Sequence, residues 1–144
     1  MQSRLIIRAD STEMRQVDAF VREFVKQHEI AADEAARILI LLEELLTNLM
    51  KYGYPDRAEP GEAEIVLALD GARLEIEFID DGCAFDPFAA PPPDLDEALE
   101  DRQIGGLGLH ILRSMTDEAR YERRDDRNVI RLARRLTTTG GRRD

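Results

Sequence analysis

Tryptophan is absent, cysteine occurs once (Cys83), histidine occurs twice (His28 and His110), and no apolar run approaches the ~20 residues that cross a bilayer. A single cysteine forms no internal disulfide framework, and two distant histidines beside it make no zinc site. The chain is therefore expected in a reducing cytosol, and its opening segment MQSRLIIRADSTEM holds no secretory apolar stretch. Basic charge is outweighed as well: 20 basic against 30 acidic side chains give a net charge of -10, which argues against a basic face of the kind that neutralises nucleic-acid phosphates. Disulfide scaffold, zinc enzyme, membrane-spanning chain and nucleic-acid coat are all disfavoured. What remains is a chain of 144 residues, 43% hydrophobic and 35% charged, enough for one domain with a core and a heavily solvated surface.

Charge is uneven along the chain. Residues 1–110 hold 24 acidic and 10 basic side chains, whereas 111–144 hold 6 and 10. The basic end reads as a solvated strand pair with interspersed acids, on a hairpin distal to the candidate site, or alternatively as a site for an acidic partner.

Hydrophobic periodicity organises the rest. Arg4 to Ala9 reads as an edge strand. Met14, Val17, Phe20, Val21, Phe24 and Val25 recur at helical spacing, which predicts a helix over 12–28 capped by Ser11 or Thr12. Ile38, Leu41, Leu42, Leu45 and Leu49 predict a second helix with Asp33 as cap, stopped by Gly53 and Pro55. From Ala63 the period becomes two, and Asp70-Gly71 between two alternating runs signals a hairpin. A polar, proline-rich stretch follows, then Gly105-Gly106-Leu107-Gly108 opening a third helix, and a final hairpin over 119–124 and 128–135 turning at Asp125-Asp126. Residues 137–144 read as a flexible tail. The order β, α, α, β, β, α, β, β predicts an α+β fold, with helices covering one face of a mostly antiparallel sheet.

Three constellations could carry chemistry. Glu44, Asn48 and Lys51 fall at i, i+4 and i+7, so one helical stripe presents a carboxylate, an amide and an ammonium. Those groups suit a magnesium nucleotide: a proton acceptor, a hard-cation ligand and a phosphate neutraliser. Asp80-Asp81-Gly82 ends an apolar strand, where a carboxylate can accept a hydrogen bond from an exocyclic amino group and glycine lets backbone approach a flat ring. Gly105, Gly106 and Gly108 free backbone N–H groups at a helix N-terminus to face an anion. Taken singly, each also has a plain structural reading as helix edge, turn or hinge.

Together their order is specific. ILLEELLTNLMKYGYP resembles the N-box of the GHKL ATP-binding superfamily, IDDGCAFDP its first glycine box and GGLGLHILRSMTDEARYER its second. The FDP after the first box and the form of the second resemble the anti-sigma-factor serine-protein kinases of bacterial partner switching. The resemblance extends over residues 4–136.

That resemblance implies one GHKL-type two-layer α/β sandwich over 1–136, its mostly antiparallel sheet mixed, with an ATP lid at 88–104. It implies ATP and magnesium as cofactors, Asn48 as the magnesium ligand, Glu44 as catalytic base and Lys51 near the phosphates. Asp80 would read the adenine with Gly82 beside it, and Gly105, Gly106 and Gly108 would lie near the phosphates. Ala84 departs from the superfamily, where many members have a second glycine. The implied function is a cytoplasmic, ATP-dependent anti-sigma factor and serine/threonine-protein kinase. It would bind a sigma factor, phosphorylate an anti-anti-sigma antagonist, form a homodimer, and engage neither nucleic acid nor membrane. The alternative is an ATP-binding interaction module without kinase activity or with a non-sigma target. Glu43, Glu44, Asp80 and Asp81 are expected around the nucleotide, so an antagonist carrying the near-double negative charge of phosphate should bind less tightly than its unmodified form.

Overall fold

A computed structural model describes residues 2–56, 59–89 and 110–136. Its elements are β1 (Gln2–Arg8), α1 (Met14–Gln27), α2 (Ala32–Tyr52), β2 (Glu62–Asp70), β3 (Arg73–Asp80), β4 (Glu118–Arg124) and β5 (Arg127–Arg135), with helical residues at 110–114 before β4. The strands form one sheet in the order β1-β2-β3-β5-β4, so β1 and β4 are its edges. Every described pairing is antiparallel, which corrects the mixed sheet to a purely antiparallel one within the described residues.

Both helices cover one face of this sheet. Val17, Val21, Phe24 and Val25 of α1 are buried at helical spacing, and α2 buries a wider stripe of Ile38, Leu41, Leu42, Leu45, Leu46 and Leu49 because it packs against both α1 and the sheet. Beneath them lie Ala63, Ile65 and Leu67 of β2, Leu74, Ile76 and Phe78 of β3, and Ile130 and Leu132 of β5. Strand alternation sends the intervening residues to the opposite face. There Arg131 pairs with Glu77 and Glu122, Arg124 with Glu122, Arg4 with Glu64, and Arg73 with Glu75 and Glu118. Arg124 and Arg131 of the basic end belong to this solvated lattice.

Two-residue turns set the hairpin registers. Gly71 adopts φ 61° after Asp70, and Asp125 and Asp126 both sit in the left-handed region (φ 53° and 62°) that a right-twisted hairpin demands. Both helix caps differ from expectation. A short 3-10 turn, Ser11–Glu13, precedes α1, so the capping side chain is Asp10, whose carboxylate accepts from the Thr12 N–H at 3.1 Å. Asp33 lies inside α2; the N-cap is Ala31, and Asp33 instead pairs with Arg37 one turn on. Residues 90–109 and 137–144 lie outside the described residues, and with them most of the 88–104 lid and the expected tail.

Candidate functional site

The end of α2, the end of β3 and the start of β5 converge on one cleft. Leu45, Asn48 and Leu49 of α2 line one wall, Asp80 and Asn128 the floor, and Cys83, Phe85, Pro87 and Ile130 the remainder, of a narrow cleft with about 10 Å³ of free space. The chain is forced close where α2 meets the loop after β3. A Cβ at Gly82 would stand 2.9 Å from the Gly53 Cα and 3.0 Å from the Leu49 Cδ1, so only glycine fits. The Cys83 N–H donates to the Gly53 carbonyl at 2.9 Å and closes this seam. Tyr52 and Phe85 stack across it with ring centroids 4.7 Å apart.

Asp80 is the polar centre of the cleft and is 5% exposed. Its Oδ1 accepts from the Gly82 N–H at 2.8 Å and from the Asn128 Nδ2 at 2.9 Å, while Oδ2 has no partner among the described residues. Burial pushes its carboxyl above the ordinary aspartate range; the Asn128 and Gly82 hydrogen bonds oppose that shift, Asp81 adds to it and Arg123 draws it back. A buried carboxylate with one oxygen unpaired among the described residues, in a cleft also lined by Leu45, Leu49 and Ile130, can accept an N–H donor.

Glu44, Asn48 and Lys51 share the α2 stripe as the spacing predicts. Glu44 and Asn48 are half-buried and Lys51 is exposed. Burial raises the Glu44 carboxyl, the Lys51 charge and the Asn48 amide lower it, and Glu43 raises it again. The amide oxygen of Asn48 beside a carboxylate fits a hard cation that is held mainly by phosphates and water. Gly105, Gly106 and Gly108 lie outside the described residues.

Two sequence expectations change. Asp81 does not face the cleft as a site charge: its Oδ1 accepts from the Tyr54 hydroxyl and from the Glu62 N–H at 3.2 Å, fastening the loop between α2 and β2. The basic end is not wholly distal, because the Arg123 Nη1 donates to the Gly82 carbonyl at 2.9 Å and so stands at the cleft. Phe85 opens the FDP noted in the sequence, whereas Asn128 and Ile130 were not singled out from it. Asn128 had one available signal: it is a polar residue in the inward register of Ile130 and Leu132.

A family model described as "Histidine kinase-like ATPase domain" matches residues 7–134. Serine/threonine-protein kinase BtrW of Bordetella bronchiseptica is 28% identical over 95 residues, which cover 66% of this chain and 66% of that one. Serine-protein kinase RsbW of Bacillus cereus is 30% identical over 92 residues, 61% of this chain and 56% of the relative, so the chain spans less than two thirds of the curated relatives it matches. Among solved structures, the RsbU and RsbW domains of Rv1364c from Mycobacterium tuberculosis superpose with TM-score 0.64 at 18% identity, over 94% of this chain and 32% of that one. A blue-light activated histidine kinase of Erythrobacter litoralis superposes with TM-score 0.53 at 20% identity, over 74% of this chain and 32% of that one. These two likenesses concern the fold. With the family model matched along nearly the whole described chain, and the cleft built from the same segments, the chain belongs to the histidine kinase-like ATPase domain family.

Proposed function

We propose that this chain is an ATP-dependent serine/threonine-protein kinase of the partner-switching type, which holds a sigma factor and phosphorylates an antagonist protein. The observation that carries the reading is the single free oxygen of buried Asp80, set in an apolar cleft against the helix that bears Glu44 and Asn48. The names of the RsbW and BtrW relatives support the choice of protein serine/threonine as acceptor.

In this reading Asp80 Oδ2 accepts from the exocyclic amine of adenine, and Leu45, Leu49 and Ile130 cover the ring. Asn48 would hold magnesium, which supplies charge neutralisation across the phosphates. Lys51 lies on the same stripe and adds positive charge. A serine or threonine hydroxyl attacks the γ-phosphorus, its proton passes to Glu44, the bond to the bridging oxygen breaks and ADP leaves. Such transfer depends on positioning and charge rather than on covalent help from the protein. The raised carboxyl of Glu44 makes it a stronger base once it is ionised, and Lys51 helps to keep it so.

Dimerisation and a cytoplasmic location belong to the same proposal. Edge strand β1 leaves Ile6 57% exposed, an apolar residue a second copy could cover, and no described helix is long and apolar enough to cross a membrane. Light scattering at micromolar concentration with nucleotide present should give twice the 16.4 kDa chain mass; a monomer removes the dimer from the account.

The kinase reading is tested by capturing binding proteins from the native cell and incubating them with γ-labelled ATP and purified chain. Label should appear on a serine or threonine of a captured protein, and Glu44→Ala should slow its appearance by about 10²–10⁴-fold. Binding without labelling would leave an interaction module in place of a kinase.

A further inference from the structure

Asn128 has four hydrogen-bonding valences and all four are used. Its Nδ2 donates to Asp80 Oδ1 at 2.9 Å and to the Cys83 carbonyl at 2.8 Å. Its Oδ1 accepts from the Phe85 N–H at 3.3 Å and from the Tyr121 hydroxyl at 2.6 Å. The backbone N–H of Phe85 can only donate, which fixes the amide oxygen on that side and the NH₂ toward Asp80. The side chain is 3% exposed and has no valence left for a ligand, so any influence it has on a bound molecule passes through its neighbours.

We propose that Asn128 is the positioning residue of the base pocket: it occupies one oxygen of Asp80, pins the Gly82–Phe85 turn, and so leaves Oδ2 as the single acceptor turned to the base. The inference rests on Asp80 reading the base, and it adds what makes that reading selective. A carboxylate free to rotate or to hold a proton between its oxygens would meet a 6-amino group and a 6-oxo group on more equal terms. With Oδ1 committed to two N–H donors, Oδ2 offers a lone pair alone: favourable to adenine, repulsive to guanine. Tyr121 of β4 sets the orientation of the amide, and Arg123 of the same strand holds the Gly82 carbonyl at the far side of the turn.

The informative variant is Asn128→Asp. It removes the amide donors and puts a second carboxylate against Asp80, so the two acids hold one proton to a higher pH than either would alone. The other ionisable groups near the pair are Cys83 of the loop and Tyr121 and Arg123 of β4, with Asp81 acting on Asp80 from outside the cleft; the α2 residues at the cleft, Leu45, Asn48 and Leu49, are uncharged.

Calorimetric titration of the full chain with ATP and with GTP, across about pH 6 to 8, reads the outcome directly. Wild type should keep a constant preference for ATP. Asn128→Asp should lose about tenfold of that preference, and more as the pH falls. Tyr121→Phe, which deletes only the hydroxyl and spares the packing, should lower the preference about two- to fivefold and serves if the first variant does not fold. Equal weakening of both nucleotides with a pH-independent ratio would show a merely structural residue and overturn the proposal, as would an unchanged ratio in Tyr121→Phe. Asp80→Asn separates the two layers. If it binds ATP as wild type does, base reading by Asp80 fails and this inference with it; if it loses ATP while the Asn128 and Tyr121 variants keep the wild-type ratio, only the positioning role fails.

Discussion

Glu34 and Arg134 stand one hundred residues apart and meet in a two-pronged ion pair, Nε to Oε1 at 2.9 Å and Nη2 to Oε2 at 3.3 Å, with the carboxylate wholly buried. Arg134 also donates from Nη1 to the Met115 carbonyl at 2.8 Å, so one guanidinium joins the first turn of α2, strand β5 and the end of the helix at 110–114. A pair of this kind is costly to break and cheap to replace.

Arg134→Met should therefore cost about 3 kcal/mol of unfolding free energy, since it leaves the buried Glu34 carboxylate only the longer contact to Arg37, at 3.7 Å. The double variant Glu34→Leu/Arg134→Met should recover most of that loss. Urea denaturation of wild type, Arg134→Met, Glu34→Leu and the double variant checks both statements, and additive losses would contradict the coupling.

The turn between the helices offers a gain instead. Glu29 follows α1 with φ 55°, in the left-handed region, and the N–H of Ile30 closes back on the Val25 carbonyl at 2.9 Å. Glycine adopts that backbone without the Cβ penalty. Glu29→Gly should raise stability by about 0.5–1 kcal/mol, read as a higher urea midpoint at unchanged slope.

These two sites show what the chain disclosed in one dimension and what it hid. Helix and strand periods, the hairpin marked by Asp70-Gly71, the Asp125-Asp126 turn and the Glu44–Asn48–Lys51 stripe are local patterns, and each was legible. Glu34 reads as an ordinary first-turn acid because its partner lies on β5. Asn128 was missed for the same reason: only the β3–β5 register, 48 residues apart, sets it against Asp80. The caps failed through local competition, as Asp10 captured the Thr12 N–H in a 3-10 turn that no hydrophobic period announces.

Glu44 supplies a pH signature. Burial raises its carboxyl, so phosphoryl transfer should fall on the acid side at a pH above the ordinary glutamate range, where the base becomes protonated. The Lys51 charge pulls in the opposite direction, so Lys51→Met should move that acid limb to still higher pH. The stability sign is the reverse of the usual carboxylate case. With its folded value raised, Glu44 favours the fold at pH below its unfolded value, and that contribution is lost as pH rises through the folded one. A pH–rate profile whose acid limb is unmoved by Lys51→Met would take Glu44 out of the base role.

The proposed function turns on Asp80 reading the nucleotide base. Asp80→Asn keeps an oxygen that can accept from Gly82 and Asn128 and puts an NH₂ group where Oδ2 now stands, which removes a buried charge and leaves the fold at least as stable. The most direct measurement is a calorimetric titration of wild type and Asp80→Asn with ATP and magnesium at neutral pH. A loss of about 1.5–3 kcal/mol, roughly ten- to a hundredfold in affinity, is expected in a protein that melts no lower than wild type. Equal affinities in two equally folded proteins would contradict it.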